Sequence, residues 1–122
     1  MTLRTSLSAA IGLSAAALLF ATQASAHAAL VRSNPAANAT VSAPKMISLT
    51  FNEKLSPAFS GFGLTMGDGM TMKVKTILSK DHKTITGAPA GRLMAGAYKV
   101  SWHAAASDDG HRTQGVVAFT IK

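Results

Sequence analysis

Three residues of this chain carry groups that commonly bind metal ions: His27, Asp109 and His111. Asp109 and His111 are two positions apart, so on an extended segment both side chains would leave the same face. His27 follows Ala24-Ser25-Ala26, a small-residue pattern typical of a signal-peptidase cleavage site. Cleavage there would make His27 the first residue of the mature protein. Its α-amine and its ring Nδ1 could then chelate one metal ion.

Together these residues would offer three nitrogen donors and one oxygen donor. That set suits tetragonal Cu(II), which prefers nitrogen and oxygen donors and stands at the top of the divalent affinity series. The Asp109-Gly110-His111 triplet by itself fits better a plain hairpin turn that leaves His111 on the surface, because short motifs recur by chance. The spacing alone leaves both interpretations open.

The first 26 residues have the features of a cleaved signal peptide. Arg4 is their only charged residue, and the apolar run 7–20 is shorter than the roughly 20 residues of a membrane span. We therefore expect export to the periplasm and a mature domain of residues 27–122. An uncleaved N-terminal anchor is the alternative.

Composition excludes several classes of protein. The chain has no cysteine, so disulfides, thiolate metal sites and cysteine-based enzymes are ruled out. Its 122 residues leave room for one small domain after cleavage. The 12 Lys and Arg outnumber the 5 Asp and Glu, but they are scattered singly, which disfavours a nucleic-acid partner. A solvated surface that can also dock on an acidic partner or a membrane is the better interpretation.

Alternating apolar and polar residues predict short strands and no helix of three turns in the mature chain. The predicted strands are 28–31, 46–52, 62–66, 70–75, 83–87, 97–103 and 116–121. Turns rich in Gly, Pro and Asn separate them, and Leu93 and Met94 are expected to plug the core from a loop. About seven short strands predict an all-β fold, an antiparallel Greek-key sandwich or barrel of cupredoxin-like or immunoglobulin-like type.

An ordered series of short motifs runs through residues 27–122. They are His27-Ala28-x-Leu30, Ser33-x-Pro35-Ala36, Leu49-x-Phe51-x-Glu53, Phe59-Ser60-Gly61, Gly96-x-Tyr98-x-Val100-x-Trp102, Ser107-x-Asp109-Gly110-His111 and Gly115-x-x-x-Phe119. Each motif is weak by itself, but their order, beginning at a predicted cleavage site, is specific. In this respect the chain resembles the periplasmic copper-binding CopC family, including its short YobA-like members.

The resemblance implies a cupredoxin-like β-sandwich that holds Cu(II) without turning it over. The Cu(II) ligands of the family fall on His27, Asp109 and His111. A family glutamate and a family tryptophan near the metal fall on Glu53 and Trp102. Glu53 is equally compatible with a solvated charge at a strand end, and Trp102 with a core anchor.

His103 has the opposite strand phase from Trp102 and precedes the ligand loop. We expect it beside the site or on the surface rather than among the ligands.

Methionines suggest a second site. Family members with such a site hold Cu(I) with a Met-rich loop and a histidine, because thioethers select that ion. Met66, Met70 and Met72 fall at the matching predicted hairpin, which is shorter and contains no histidine; His82 comes ten residues after Met72. Methionine also fills irregular gaps in small cores. A weak Cu(I) site and ordinary core packing both stay open.

The resemblance implies a monomeric, non-enzymatic copper carrier or buffer that delivers copper to an inner-membrane CopD-type transporter. A copper monooxygenase, which also uses an N-terminal histidine, is the alternative from another class. Such enzymes need an open copper position and usually exposed aromatic residues, whereas the aromatic residues here are mostly in core-facing phase. A metal-free structural sandwich is the third alternative, and it leaves the position of His27 at the cleavage site unexplained.

Overall fold

A computed structural model describes residues 27–122, and the predicted signal peptide lies outside the described residues. The described chain forms nine strands and one short 3₁₀ turn. Their bounds are β1 Leu30–Asn34, β2 Thr40–Val41, β3 Ile47–Phe51, the 3₁₀ turn Pro57–Phe59, β4 Gly61–Met66, β5 Thr71–Met72, β6 Val74–Leu78, β7 Thr84–Pro89, β8 Gly96–Ala105 and β9 Arg112–Ile121. Within residues 27–122, no helix is long and apolar enough to cross a membrane.

The strands form two sheets packed face to face. The first sheet has the order β1-β3-β7-β6 and is antiparallel throughout. The second has the order β2-β9-β8-β4-β5 and is mixed, because the short β2 runs parallel to β9. Strands that are distant in sequence, such as β3 and β7, lie side by side because the chain crosses between the sheets. The predicted all-β sandwich is confirmed.

The core lies between the sheets, where the alternating strands place their apolar residues. Ile47, Leu49 and Phe51 of β3 are buried, and Tyr98 and Val100 of β8 face them from the second sheet. Burial of one such side chain contributes roughly 1.5–3 kcal/mol relative to its exposed state. The predicted inward phase of both strands is therefore correct.

Some strand bounds differ from the sequence prediction. Residues 70–75, predicted as one strand, divide between β5 and β6, which belong to different sheets. β9 begins at Arg112, well before the predicted start, because its pairing with β8 continues to Ala105. Leu93 is buried as expected, but Met94 is 75% exposed, so the expectation that Met94 plugs the core is wrong.

The strand register gives the sandwich two ends. β8 pairs with β9 from Ala105 and Arg112 at one end to Gly96 and Ile121 at the other, and β4 follows the same axis. We call the first end the site pole; it carries residues 27–29, 52–56, 79–83 and 106–111. We call the second end the hairpin pole; it carries residues 67–70 and 90–95. The loops of each pole rest on a long, continuous strand pair.

Candidate metal centre

The backbone that follows His27 is fixed to the sandwich by a buried side chain and by three hydrogen bonds. Ala28 is 2% exposed and packs in the core. The Ala29 N–H donates to Asn52 Oδ1 at 2.8 Å, and the Asn52 N–H donates to the Ala29 carbonyl at 3.0 Å. Thr113 Oγ1 donates to the Ala28 carbonyl at 2.8 Å. His27 is therefore held one residue away from a firmly anchored backbone.

This anchored segment brings the ring of His27 against the ring of His111. Their centroids are 3.8 Å apart and their planes meet at 79°, an edge-to-face contact. Both residues are exposed at the site pole. Because the rings touch, both imidazoles lie within reach of one shared ion. Two of the three predicted ligand residues are thus in direct contact.

Asp109 and His111 belong to a tight turn rather than to an extended segment. The Gly110 N–H donates to the Ala106 carbonyl at 2.9 Å, and the Ala106 N–H donates to the His111 carbonyl at 3.0 Å. Gly110 has φ +72°, a conformation that favours glycine. The extended geometry assumed from the two-residue spacing is therefore wrong, because the chain turns at Gly110.

The same turn directs the carboxylate of Asp109 towards His111, the next candidate ligand residue. Asp109 Oδ1 accepts the backbone N–H of His111 at 2.9 Å. A carboxylate that accepts one hydrogen bond keeps acceptor capacity on its second oxygen. Asp109 can therefore orient His111 through its backbone and still offer an oxygen to a metal ion.

Among residues 27–122, no three His, Cys, Asp or Glu side chains are already grouped as a metal site. The contact between the His27 and His111 rings is consequently the starting point for a candidate metal centre at this pole. The carboxylate of Asp109 and the α-amine that cleavage after Ala26 would create are the groups that could complete it. The α-amine belongs to the backbone, so it would add a nitrogen donor to the centre without a further side chain.

Glu53 lies at the same pole, in the loop after β3, and is half-buried. The carbonyl of the next residue, Lys54, accepts the N–H of Ser107 at 2.9 Å, which joins this loop to the turn that carries Asp109.

In the neighbouring turn between β6 and β7, the Ser79 hydroxyl and then the Lys83 N–H lower the pKa of Asp81. Asp81 therefore stays ionised to a lower pH than an ordinary aspartate.

Trp102 packs between the sheets, as a core anchor would. Its ring meets Phe51 edge to face, with centroids 5.1 Å apart, and it lies directly over Gly115. A Cβ on Gly115 would stand 2.5 Å from Trp102 Cζ2.

The side chain of His103 leaves the opposite face of β8. It is exposed and lines a surface groove with Phe59 and Arg112.

Two residues that position the site were not singled out in the sequence. Asn52 was predicted only as the last residue of a strand, and Thr113 was not assigned to any strand. Both are polar residues at the ends of β-strands, a common type of position that carries no chemical signal. Their role depends on partners, Ala28 and Ala29, that are distant in the chain.

The three methionines of the hairpin lie at the end of β4, in the turn and in β5. The Met66 N–H donates to the Met70 carbonyl at 2.8 Å, and Met72 pairs with Leu64. Cross-strand neighbours point to the same side, so Met72 and its partner Leu64 share the core side of the sheet with Met66, two residues further along β4. Met66 and Met72 pack against the core, whereas Met70 is 63% exposed.

These methionines lie at the hairpin pole, far from the histidine pair. His82 does not join them, because its carbonyl accepts the Leu55 N–H at the site pole. Met94 does lie beside them: it lines, with Met66, a cavity of about 370 Å³. Sequence spacing did not place Met94 with the other three, because a separate loop carries it.

Comparison with known proteins is consistent with this architecture. The CopC domain family matches residues 30–122. Copper resistance protein C of Pseudomonas syringae pv. tomato is 42% identical over 119 residues, which cover 92% of this chain and 94% of that protein. The crystal structure of PcoC, a methionine-rich copper resistance protein from Escherichia coli, has a TM-score of 0.72 and 38% identity; the match covers 79% of this chain and 99% of PcoC.

A longer relative contains a region similar to this chain. Copper transport protein CutJ of Bacillus subtilis is 33% identical over 99 residues, which are 79% of this chain but 18% of that protein. The similar region is therefore a small part of CutJ, whereas it is nearly the whole of the Pseudomonas protein. The family match over residues 30–122, supported by identity and by fold, shows that this chain belongs to the CopC family.

Proposed function

We propose that this protein is a periplasmic copper carrier or buffer of copper homeostasis and resistance, and that it holds Cu(II) at His27, Asp109 and His111. The main support is the contact between the His27 and His111 rings, whose centroids are 3.8 Å apart. Both rings are exposed, so core packing does not account for the contact. Relatives named copper resistance proteins make copper the metal to propose.

In the proposed site, the α-amine and ring of His27, the Asp109 carboxylate and the His111 ring surround the ion. Nitrogen and oxygen donors of this kind match the preference of Cu(II). Thr113 and Asn52 keep the N-terminal backbone in place, and the His111 N–H orients the Asp109 carboxylate. Because the amine and imidazole ligands must be deprotonated, binding weakens in acid.

The function that we propose is that of a copper carrier rather than an enzyme. Tyr98, Phe51 and Phe119 are buried, and Phe59 is the one Phe, Tyr or Trp ring among residues 27–122 that is exposed. A broad aromatic platform for a polymeric substrate is therefore missing from the described chain, and the Asp109 carboxylate would be a further ligand where a copper monooxygenase needs an open position. CutJ, a copper transport protein with a CopC-like region, supports copper delivery to a transport protein. We take an inner-membrane CopD-type transporter as that partner and a monomer as the working form.

For Cu(I), the proposed ligands are the three hairpin methionines, Met66, Met70 and Met72. The backbone hydrogen bond that joins Met66 to Met70, the core-side position of Met66 and Met72 and the exposure of Met70 support this weaker site. Thioether ligands suit Cu(I) and not Cu(II). The two oxidation states would then bind at opposite poles.

The decisive experiment tests the α-amine of His27. An extra glycine ahead of His27 turns the amine into an amide and leaves every side chain in place. Competition titration of Cu(II) against a chelator should show a sharp loss of affinity, and the electron paramagnetic resonance spectrum should change. The thermal stability of the metal-free protein should barely change and serves as the control. Equal affinity and identical spectra would refute the amine ligand.

A further inference from the structure

A groove on the outer face of the second sheet lies beside the metal centre. It has a volume of about 400 Å³, and its lining includes Phe59, His103, Arg112 and Gln114. We call it the Arg112 groove. We propose that it docks an acidic, extended segment of the protein that exchanges copper with this domain. The inference deepens the proposed carrier function and rests on it for the identity of the partner.

Arg112 is prepared to receive a carboxylate. Its guanidinium carbon lies 4.7 Å from the centroid of the Phe59 ring, so the cation is held over an aromatic face. Within residues 27–122, the guanidinium donates no hydrogen bond and forms no ion pair. A planar guanidinium supported on one face presents its N–H edge in the geometry that binds a carboxylate through two hydrogen bonds.

The aromatic ring under Arg112 is itself exposed to solvent. Phe59 ends the 3₁₀ turn Pro57–Phe59 and is 52% exposed, although the other phenylalanines of the domain are buried. An exposed ring beside a cation suits a ligand that combines an apolar side chain with a carboxylate. An acidic peptide that also carries apolar residues has this composition.

The charge distribution indicates the sign of the occupant. None of the nine strands contains Asp or Glu, and all five acidic residues lie in loops. The outer face of the β8–β9 pair therefore carries Lys99, His103 and Arg112 without a carboxylate on either strand. A concave groove fits a peptide segment better than the flat surface of a lipid bilayer, so we commit to the peptide.

The position of the groove connects docking to the metal centre. Arg112 follows His111 directly, and Thr113, which also lines the groove, donates to the carbonyl of Ala28. An occupant would therefore sit within two residues of both exposed histidine rings. A partner bound there would have its own metal ligands beside His27 and His111.

The test is a titration of the isotope-labelled, metal-free, processed protein with a synthetic peptide of alternating glutamate and leucine. Changes in amide chemical shift should concentrate at residues 57–59, 103 and 112–114. Arg112→Glu should weaken binding at least about tenfold, because a charge-assisted hydrogen bond is replaced by repulsion. Phe59→Leu, which removes the ring but keeps apolar bulk, should weaken it several-fold.

Lys99→Glu is the matched control, since it makes the same change of charge on the same sheet face outside the groove. It should weaken binding less than about threefold, as expected for an exposed charge without a direct contact. Equal losses in Arg112→Glu and Lys99→Glu would overturn the proposal, because net charge alone would then explain binding. The proposal also fails if the peptide does not bind while phosphatidylglycerol vesicles bind in an Arg112-dependent manner.

The same variants separate this proposal from the copper site. Arg112→Glu should keep the Cu(II) spectrum, and His111→Ala should lose Cu(II) affinity but still bind the peptide. If copper binding is missing while the peptide binds through Arg112, the carrier function is wrong and the groove is right. If copper binds and the peptide does not, the groove is wrong.

Discussion

The residues proposed to bind metal are few and exposed, and hydrogen bonds of the backbone hold them in place. His111 presents its N–H to the carboxylate of Asp109, and His27 precedes an Ala-Ala pair that is bonded to Asn52 and Thr113. Among residues 27–122, no larger group of His, Cys, Asp or Glu side chains stands ready to replace one of them. Each of the three proposed ligand residues should therefore contribute a large part of the affinity.

His111→Ala should lower Cu(II) affinity by more than about 100-fold. The loss of an outer-shell partner of a metal ligand already costs roughly 10- to 100-fold, and His111 is a proposed ligand itself. Competition against a chelator measures the affinity, and electron paramagnetic resonance reports the loss of a nitrogen donor. His103→Ala, also an exposed histidine but on the outer face of β8, is the control and should bind copper normally. An unchanged spectrum in His111→Ala would place the ion elsewhere.

The close packing of strands β8 and β9 supports the loops of the site pole. The two strands pair over their full lengths, and they carry the turn of Asp109 and His111 at one end. Trp102 of β8 crosses over Gly115 of β9 and leaves no space for a side chain there. Glycine at this position thus allows the indole to lie between the sheets.

Gly115→Ala should lower the free energy of unfolding by about 1–3 kcal/mol, because the added Cβ would overlap the indole ring. Urea unfolding followed by the fluorescence of Trp102, the only tryptophan of the chain, measures the change. Gly63→Ala is the matched control, since a Cβ added at Gly63 would meet no atom within 4 Å. A Gly115→Ala variant as stable as Gly63→Ala would show that the indole moves aside without cost.

Across the whole molecule, nitrogen and oxygen donors lie at one pole and thioethers at the other. The register of β4, β8 and β9 separates the hairpin of Met66 from the turn of His111 by the length of the sandwich. The hard and soft donors therefore cannot share one ion. A substitution at one pole should therefore leave the metal binding of the other pole unchanged.

Replacement of Met66, Met70 and Met72 by leucine should leave Cu(II) affinity unchanged and should lower Cu(I) affinity. Leucine keeps nearly the same volume, so each change should cost less than about 1.5 kcal/mol of folding stability. Separate titrations with Cu(II) and Cu(I) check the two affinities, and thermal melting confirms the fold. The same Cu(I) affinity in the triple variant would exclude a thioether site at the hairpin.

Much of the fold follows from local sequence. Strict alternation in 46–52 and 97–103 predicts strands and their inward faces, because a strand exposes successive side chains to opposite sides. The position of His27 behind a cleavage pattern, together with the ordered family motifs, was enough to nominate His27, Asp109 and His111. The copper role of those residues stays a prediction, and their nomination did not require a structure.

The tertiary structure alone decided which of these parts meet. Periodicity says nothing about which sheet a strand joins, so the separation of β5 from β6 and the placement of His82 opposite the methionines emerge only from packing. The anchoring of Ala28 and Ala29 by Thr113 and Asn52 joins distant segments, which no local pattern records. The contact of the His27 and His111 rings has the same origin, because it depends on where β9 and the N-terminal segment lie once the core has formed.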